Sequence, residues 1–377
     1  MPRVKLMLLA SFVVTICLSL FSSQGLAQTK EIAIGTCGAL TGRASAYGLS
    51  VKQGAELAVQ RINTAGGVEG MTLTLTSVDD QQDETITSEK ITSLVYDSNV
   101  MAIIGTTDSG CTHVAARIAL KARLPIIATV ATDPTLTRLN NPYVFRNLAD
   151  DRIQGRTLVN YIIRTRRLRN IVIAHVNTRY GRGGAAVVET AARLQGEPIL
   201  KRLSFDTGQS DYSQIVRDIS SLRPSALIIW GLYAEGAALT KAIRRRMPNL
   251  SIFGPDGLAS PAYIEQAGGD ANGVVLTYPF NPDRKDNPVV SDFVRAFREK
   301  FGKEPDSFAA HAYDAVYQIA EAARLGGATR LGIRNGLARM PAFHGVTGVF
   351  TFDPSGNSTL PVFLAIVENG RFRVLKQ

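Results

Sequence analysis

Four side chains able to do chemistry fall within six positions of the segment "GTTDSGCTHVAA": Asp108, Ser109, Cys111 and His113. A carboxylate, a hydroxyl, a thiol and an imidazole this close invite a nucleophilic reading, but the spacing argues against it. Cys111 and His113 are two apart and would leave a helix on different faces. A Ser with a His four residues on is commoner by chance than as a working pair. The other histidines, His175, His311 and His344, are scattered, and neither zinc spacing nor a G-x-S-x-G elbow occurs. There is no G-x-G-x-x-G after a strand and no phosphate-binding P-loop; "GTCGALTG" has the wrong spacing for either. The chain is therefore expected to be no enzyme and to hold neither metal nor cofactor.

What the segment does contain is a strand, a glycine and small polar residues leading into a helix. Ser109 is expected to be the N-cap of that helix, whose free N–H groups and partial positive charge suit a carboxylate. A similar layout recurs in "ATVATDP", where Thr132 offers a hydroxyl and a backbone N–H, so two strand ends could share one anionic group. The alternative is that Ser109 and Thr132 only cap and turn the chain. Asp108 is expected to shape the turn, and His113 to be an ordinary helix residue.

The elements that must position these groups alternate. Strands are expected at "EIAIGT", "MTLTLTSV", "VMAIIG" and "LPIIAT", separated by helices at 51–63, 83–97 and 109–123. After Asp150 the pattern restarts, with helices at 152–164, 183–194, 212–221 and 235–246 among the strands "NIVIAHV", "ILKRLSF", "ALIIWG", "SIFGP" and "GVVLTYPF". Alternation of this kind predicts parallel, doubly wound sheets. Two such runs predict an α/β protein of two Rossmann-like lobes. Helices at 289–301 and 307–325 should return to the first lobe, and the strands "GVTGVFTFD" and "LPVFLAIVENGRFRVLK" should finish one lobe and then the other. The predicted division is residues 28–148 plus 281–353 for lobe 1 and 149–280 plus 354–377 for lobe 2, joined by three crossover segments. A ligand cleft is expected between them, at the carboxyl ends of the strands.

Residues 1–27 read as a secretory signal peptide, with Arg3 and Lys5 ahead of an apolar run from Leu6 to Leu20 and small residues at Gly25 and Ala27. Cleavage is expected after Ala27, with export to the periplasm. Without Arg3 and Lys5 the chain keeps 40 basic residues against 32 acidic. The densest basic runs, "RTRRLR" and "RRR", fall at predicted helix ends, where cations complement the dipole and are solvated. No nucleic-acid partner is expected.

Further segments, in order, are "GALTGRASAYG", "GAELAVQRINTAGGVEG", "DDQQD", "IIGTTDSGCT", "PIIATVATDPTLT", "RYGRG", "DYSQIV", "IFGPDGL" and "GVTGVFTFDPSGN". On them the chain, from about Glu31 to its C-terminus, resembles the periplasmic solute-binding proteins of the leucine/isoleucine/valine-binding type. These are non-enzymatic receptors of ATP-driven (ABC) importers, with the type I bilobal fold. The resemblance implies that Ser109, Thr132 and the backbone of Val130 hold a ligand α-carboxylate. It also implies that Asp256 meets the α-ammonium, that Tyr233 supports it, and that Tyr47, Tyr180 and Phe308 line the cleft. Asp256 can alternatively be read as a turn residue of "PDG". It is shorter than the Glu of branched-chain receptors, and Val130 replaces a smaller residue, which leaves the ligand's side chain open. The family's short-range disulfide lacks its cysteine in "DDQQD". In the family's sheet order the strands ahead of Cys37 and Cys111 are neighbours, so a Cys37–Cys111 disulfide is expected instead.

The reading favoured is a monomeric receptor that closes on an amino acid and docks on membrane permease subunits. A receptor for an aromatic or short-chain carboxylate or an amide is a second reading, and a ligand-sensing module of the same fold a third.

Overall fold

The computed structural model describes residues 31–138, 140–284 and 287–376. The predicted signal peptide lies outside them. Strands of three to eight residues build two sheets. The first has the order β2-β1-β3-β4-β5, formed by β1 (Glu31–Gly38), β2 (Thr72–Asp79), β3 (Ala102–Gly105), β4 (Ile126–Ala128) and β5 (Val144–Arg146), all parallel. Strands covered on both faces by helices need apolar residues on both, and β3 and β4 are buried throughout.

The second sheet has the order β14-β13-β10-β9-β8-β6-β7. Its parallel part is β6 (Ile171–Val176), β7 (Lys201–Phe205), β8 (Ala226–Trp230), β9 (Ser251–Gly254) and β10 (Val275–Tyr278). β13 (Phe363–Glu368) and β14 (Arg371–Val374) add to it antiparallel. The chain passes between the sheets after β5, again after β10, and a third time before β13.

The first sheet's helices are α1 (Ser45–Thr64), α2 (Glu84–Tyr96) and α3 (Ser109–Ala122). The second sheet carries α4 (Asp151–Asn160), α5 (Arg179–Arg193), α6 (Ser213–Leu222), α7 (Tyr233–Arg246) and α8 (Pro261–Ala267). Then come α9 (Pro288–Phe301), α10 (Ser307–Gly326), which packs along α1, and α11 (Arg330–Ala338).

Several expectations need correction. Helix α1 starts six residues earlier than predicted and α5 four, because their glycines are packing residues and not breaks. A Cβ on Gly48 would sit 1.9 Å from the Ala39 carbonyl oxygen, and one on Gly181 1.8 Å from that of Val176. The helix after Asp150 is α-helical only to Asn160 and ends in a π turn, Tyr161–Thr165. "GVTGVFTFD" does not complete the first sheet. Interrupted by Gly348 at φ +140°, it forms only β12 (Val349–Phe350), paired in a small hairpin with β11 (Phe343–His344). Asn357 then makes a single parallel bridge to Arg146 at the sheet's edge.

The predicted disulfide is also corrected, since Cys37 and Cys111 are buried free thiols. The Cys37 thiol donates instead to Asp80 Oδ2 at 3.6 Å. Burial, reinforced by nearby carboxylates, pushes both thiols well above their ordinary range and keeps them protonated. Unfolding the leaderless protein without reductant should therefore expose two titratable thiols where the native protein shows none. A bridge would leave none in either state.

Candidate functional site

In both sheets the carboxyl ends of the parallel strands face one cleft, and each contributes a loop to it. Tyr47 follows β1, Thr107 and Ser109 follow β3, and Val130 and Thr132 follow β4. From the other side Tyr180 follows β6, Leu232 and Tyr233 follow β8, and Asp256 follows β9. One pocket gathers Tyr47, Ser109, Val130, Thr132, Tyr180, Asp256 and Phe308, together with Thr107, Asp108, Ala131, Leu232 and Gly257. Tyr233 is the one predicted site residue outside its lining. It stands behind Tyr47, ring against ring at 5.0 Å, and its backbone N–H donates to the Tyr47 hydroxyl at 3.1 Å.

At the first-sheet end the N-cap of α3 is Asp108, not Ser109. Asp108 takes the extended conformation a cap needs, and its Oδ1 accepts from Gly110 N at 2.7 Å and Cys111 N at 3.2 Å. Ser109 is the first helical residue, buried on the pocket wall, so the capping duty does not occupy its hydroxyl. Thr132 Oγ1 is buried without a hydrogen-bond partner. A helix N-terminus and a free hydroxyl side by side make a place for an anionic group.

At the opposite end Asp256 is 2% exposed and its Oδ2 has no partner. Its backbone N–H donates to Gln154 Oε1 at 3.1 Å, which fixes the turn. Desolvation raises its carboxyl to about 7, against the lowering effect of Gln154, the Gly257 N–H and Arg146. The Tyr180 hydroxyl nearby is also unpartnered. Buried polar atoms are almost always paired, so a cluster of unpaired ones around a pocket marks groups made for a ligand.

Sequence reasoning missed Asp151. It is wholly buried at the start of α4, neither carboxylate oxygen closes a hydrogen bond, and burial holds its carboxyl well above the usual range. The Thr132 hydroxyl and Arg146 pull it down without offsetting burial, and Asp256 pushes it up, so it forms a second carboxyl beside the pocket that would share the Thr132 hydroxyl with a ligand. The available signal was the doublet Asp150–Asp151, of which Asp150 is the cap, accepting from Arg152 N and Ile153 N.

The cleft is closed. Tyr47 from α1 donates its hydroxyl to Gly257 O at 2.5 Å, joining the two sides. His113 is not the ordinary helix residue expected: its Nε2 lies 2.8 Å from Asp133 Oδ2, and Arg179 at the start of α5 reaches the same oxygen at 3.5 Å from across the cleft. Asp133 is held down to about 2: burial opposes the shift, but the hydrogen bonds from His113 and Thr135 outweigh it. Neither partner was foreseen in the sequence. Among the described residues no cluster of His, Cys, Asp or Glu could hold a metal ion, and no helix is long and apolar enough to cross a membrane.

Comparison with known proteins agrees with this architecture. The family model described as periplasmic binding protein matches residues 31–371. A Leu/Ile/Val-binding protein homolog 1 of Brucella abortus (strain 2308) is 25% identical over 335 residues, covering 89% of each chain. Among solved structures, the branched-chain amino acid transporter substrate binding protein LivJ from Streptococcus pneumoniae, in complex with isoleucine, superposes with a TM-score of 0.85 at 28% identity. It covers 92% of this chain and 100% of the other. The leucine binding protein LivK from Thermotoga maritima gives 0.87 at 26% identity, covering 92% and 98%. With two doubly wound sheets closing over a polar pocket and a family match across nearly the whole described chain, this protein belongs to the periplasmic binding protein family.

Proposed function

We propose that this chain is the extracytoplasmic receptor of an ABC importer, capturing a branched-chain or related amino acid between its lobes and delivering it to the membrane permease. The observation that carries this reading is the polarity of the pocket. A hydroxyl and a helix N-terminus stand at one end, and the unpartnered Oδ2 of Asp256 stands at the other. A zwitterion satisfies both, with its carboxylate at Ser109, Thr132 and the Val130 backbone and its ammonium at Asp256. Tyr47, Tyr180 and Phe308 enclose the side chain, and Tyr233 braces Tyr47.

A carboxylate ligand lacking an amino group would leave the buried Asp256 Oδ2 without a partner, which favours the amino acid over the aromatic acid. We assign the lobes as 28–148 plus 281–353 and 149–280 plus 354–377, except that residues 356–358, which pair with Arg146 of the first sheet, go with the first lobe. The chain is exported by cleavage after Ala27, acts as a monomer and carries out no catalysis.

A thermal-shift screen tests the assignment, because a ligand that binds only the native state stabilises it by about 2.7 kcal/mol at a hundredfold excess over Kd. Leucine, isoleucine or valine should raise Tm by several degrees while benzoate, short amides and urea leave it unchanged. The reverse pattern would sink the amino-acid reading.

A further inference from the structure

The parallel strands of the second sheet all begin at the end of the lobe farthest from the cleft. β7, β6, β8 and β9 lie side by side in that order, so the loops entering them share a face three strand spacings, or about 14 Å, across. The helices feeding those strands finish there. Arg166, Arg167, Arg193, Arg223, Arg245 and Arg246 are all exposed on this face, and among the described residues no carboxylate forms an ion pair with any of them. The neighbouring Glu197 is already taken by Arg169 at 2.8 Å. One cation per helix C-terminus would complement the dipoles. Here Arg166–Arg167 and Arg245–Arg246 come in pairs, and the face carries much of the chain's net positive charge.

The same face exposes apolar side chains. Leu194, at the end of α5, is 80% exposed, more than any other large hydrophobic residue described, and Leu200, ahead of β7, is 45% exposed. A leucine among unpaired arginines gains nothing in water or against a polyanion such as nucleic acid. Against a bilayer the arginines meet phosphate headgroups while the leucines enter the interface.

We propose that this face holds the protein peripherally against an anionic phospholipid surface. It lies at the opposite end of the lobe from the strand ends that carry the ligand pocket, so lipid contact leaves the cleft free to bind and close.

Co-sedimentation of the protein from Gln28 onward, which contains every described element, tests this with vesicles of phosphatidylglycerol and phosphatidylcholine against phosphatidylcholine alone. Binding is expected only to the anionic vesicles and should fall with salt. Each cation contributes roughly fivefold, so Arg166→Gln/Arg167→Gln/Arg193→Gln should lower partitioning by at least about tenfold. Leu194→Ser/Leu200→Ser should lower it severalfold with the salt dependence kept. A control removing the same charge elsewhere, Arg117→Gln/Arg295→Gln/Arg324→Gln, should bind vesicles like the parent. Amino-acid binding, unchanged in all three variants, reports that they are folded. Equal binding to neutral vesicles, an equal loss in the control, or binding to a DNA duplex in place of the vesicles would overturn the proposal.

Discussion

Asp256→Asn is expected to weaken amino-acid binding by roughly two to four orders of magnitude while leaving the protein folded. The substitution is nearly isosteric, and it keeps the backbone N–H of residue 256 on Gln154. What it removes is the negative charge proposed to face the ligand's ammonium. Leaving a buried charge without its partner costs about 3–5 kcal/mol, and each 1.4 kcal/mol is about tenfold in Kd. Isothermal titration calorimetry reads the change directly, and an unaltered Kd would take Asp256 out of the ligand site.

The same residue sets a pH dependence. With its carboxyl raised to about 7 by desolvation, Asp256 is largely protonated in the empty site below neutrality. An ammonium binds the ionised form, so affinity should fall by up to about tenfold for each pH unit below 7, and Asp256→Asn should flatten that slope. The closed form without ligand should respond in the opposite sense. A carboxyl whose folded pKa lies above its unfolded value near 4 contributes stability that is fully present below that value and is lost as pH rises through about 7. Asp151, raised by burial, adds to this in the same direction. The ligand's stabilising effect should therefore be greatest above pH 7. A thermal-shift series with and without ligand across pH 5 to 8, windowed on these values, separates the two effects.

The parallel strands were legible because burial on both faces demands continuous apolar runs, and "AIIG" and "IVIAHV" leave little else to read. Helix starts were less legible where glycine carried two meanings. At Gly48 and Gly181 the missing side chain serves close packing against a strand-end carbonyl, a contact that exists only after folding. The Asp108–Ser109 pair offered two cap residues in a row. Backbone geometry chose the first, with φ −132° and ψ 145°, and so put the serine on the pocket wall.

Asp151 and the His113–Asp133–Arg179 group could not have been found by spacing, since their partners come from several different strand ends and from both sides of the cleft. The cysteines make the limit plain. Strand order does place β1 beside β3, but whether two neighbouring thiols join depends on what else each can touch, and Asp80 accepts from Cys37.

Tyr47→Phe is expected to raise the Kd for the amino acid by at least about 30-fold through closure rather than ligand contact. The ring stays, with its edge-on contacts to Tyr233 at 5.0 Å and Phe308 at 4.9 Å. Only the hydroxyl is lost, and in the closed form that hydroxyl donates to Gly257 O at 2.5 Å and accepts from Tyr233 N at 3.1 Å. Tyr47 lies on α1 and both partners belong to the opposite side, so these bonds form only when the lobes meet. Without the hydroxyl, closing buries a carbonyl and an N–H that stay hydrated while the cleft is open, and each such group costs about 1–3 kcal/mol. A ligand that needs the closed state then binds more weakly in proportion to that state's lost population. The association rate, set in the open form, should change little, and the dissociation rate should rise by nearly the whole factor. The ligand-free Tm should stay within about 2 °C of the parent, because the open form never made the bonds. Stopped-flow binding and a ligand-free melt decide the matter. A slower association rate, or a ligand-free melting point that falls in step with affinity, would show the hydroxyl to be part of the first lobe's own packing and not the clasp between the two.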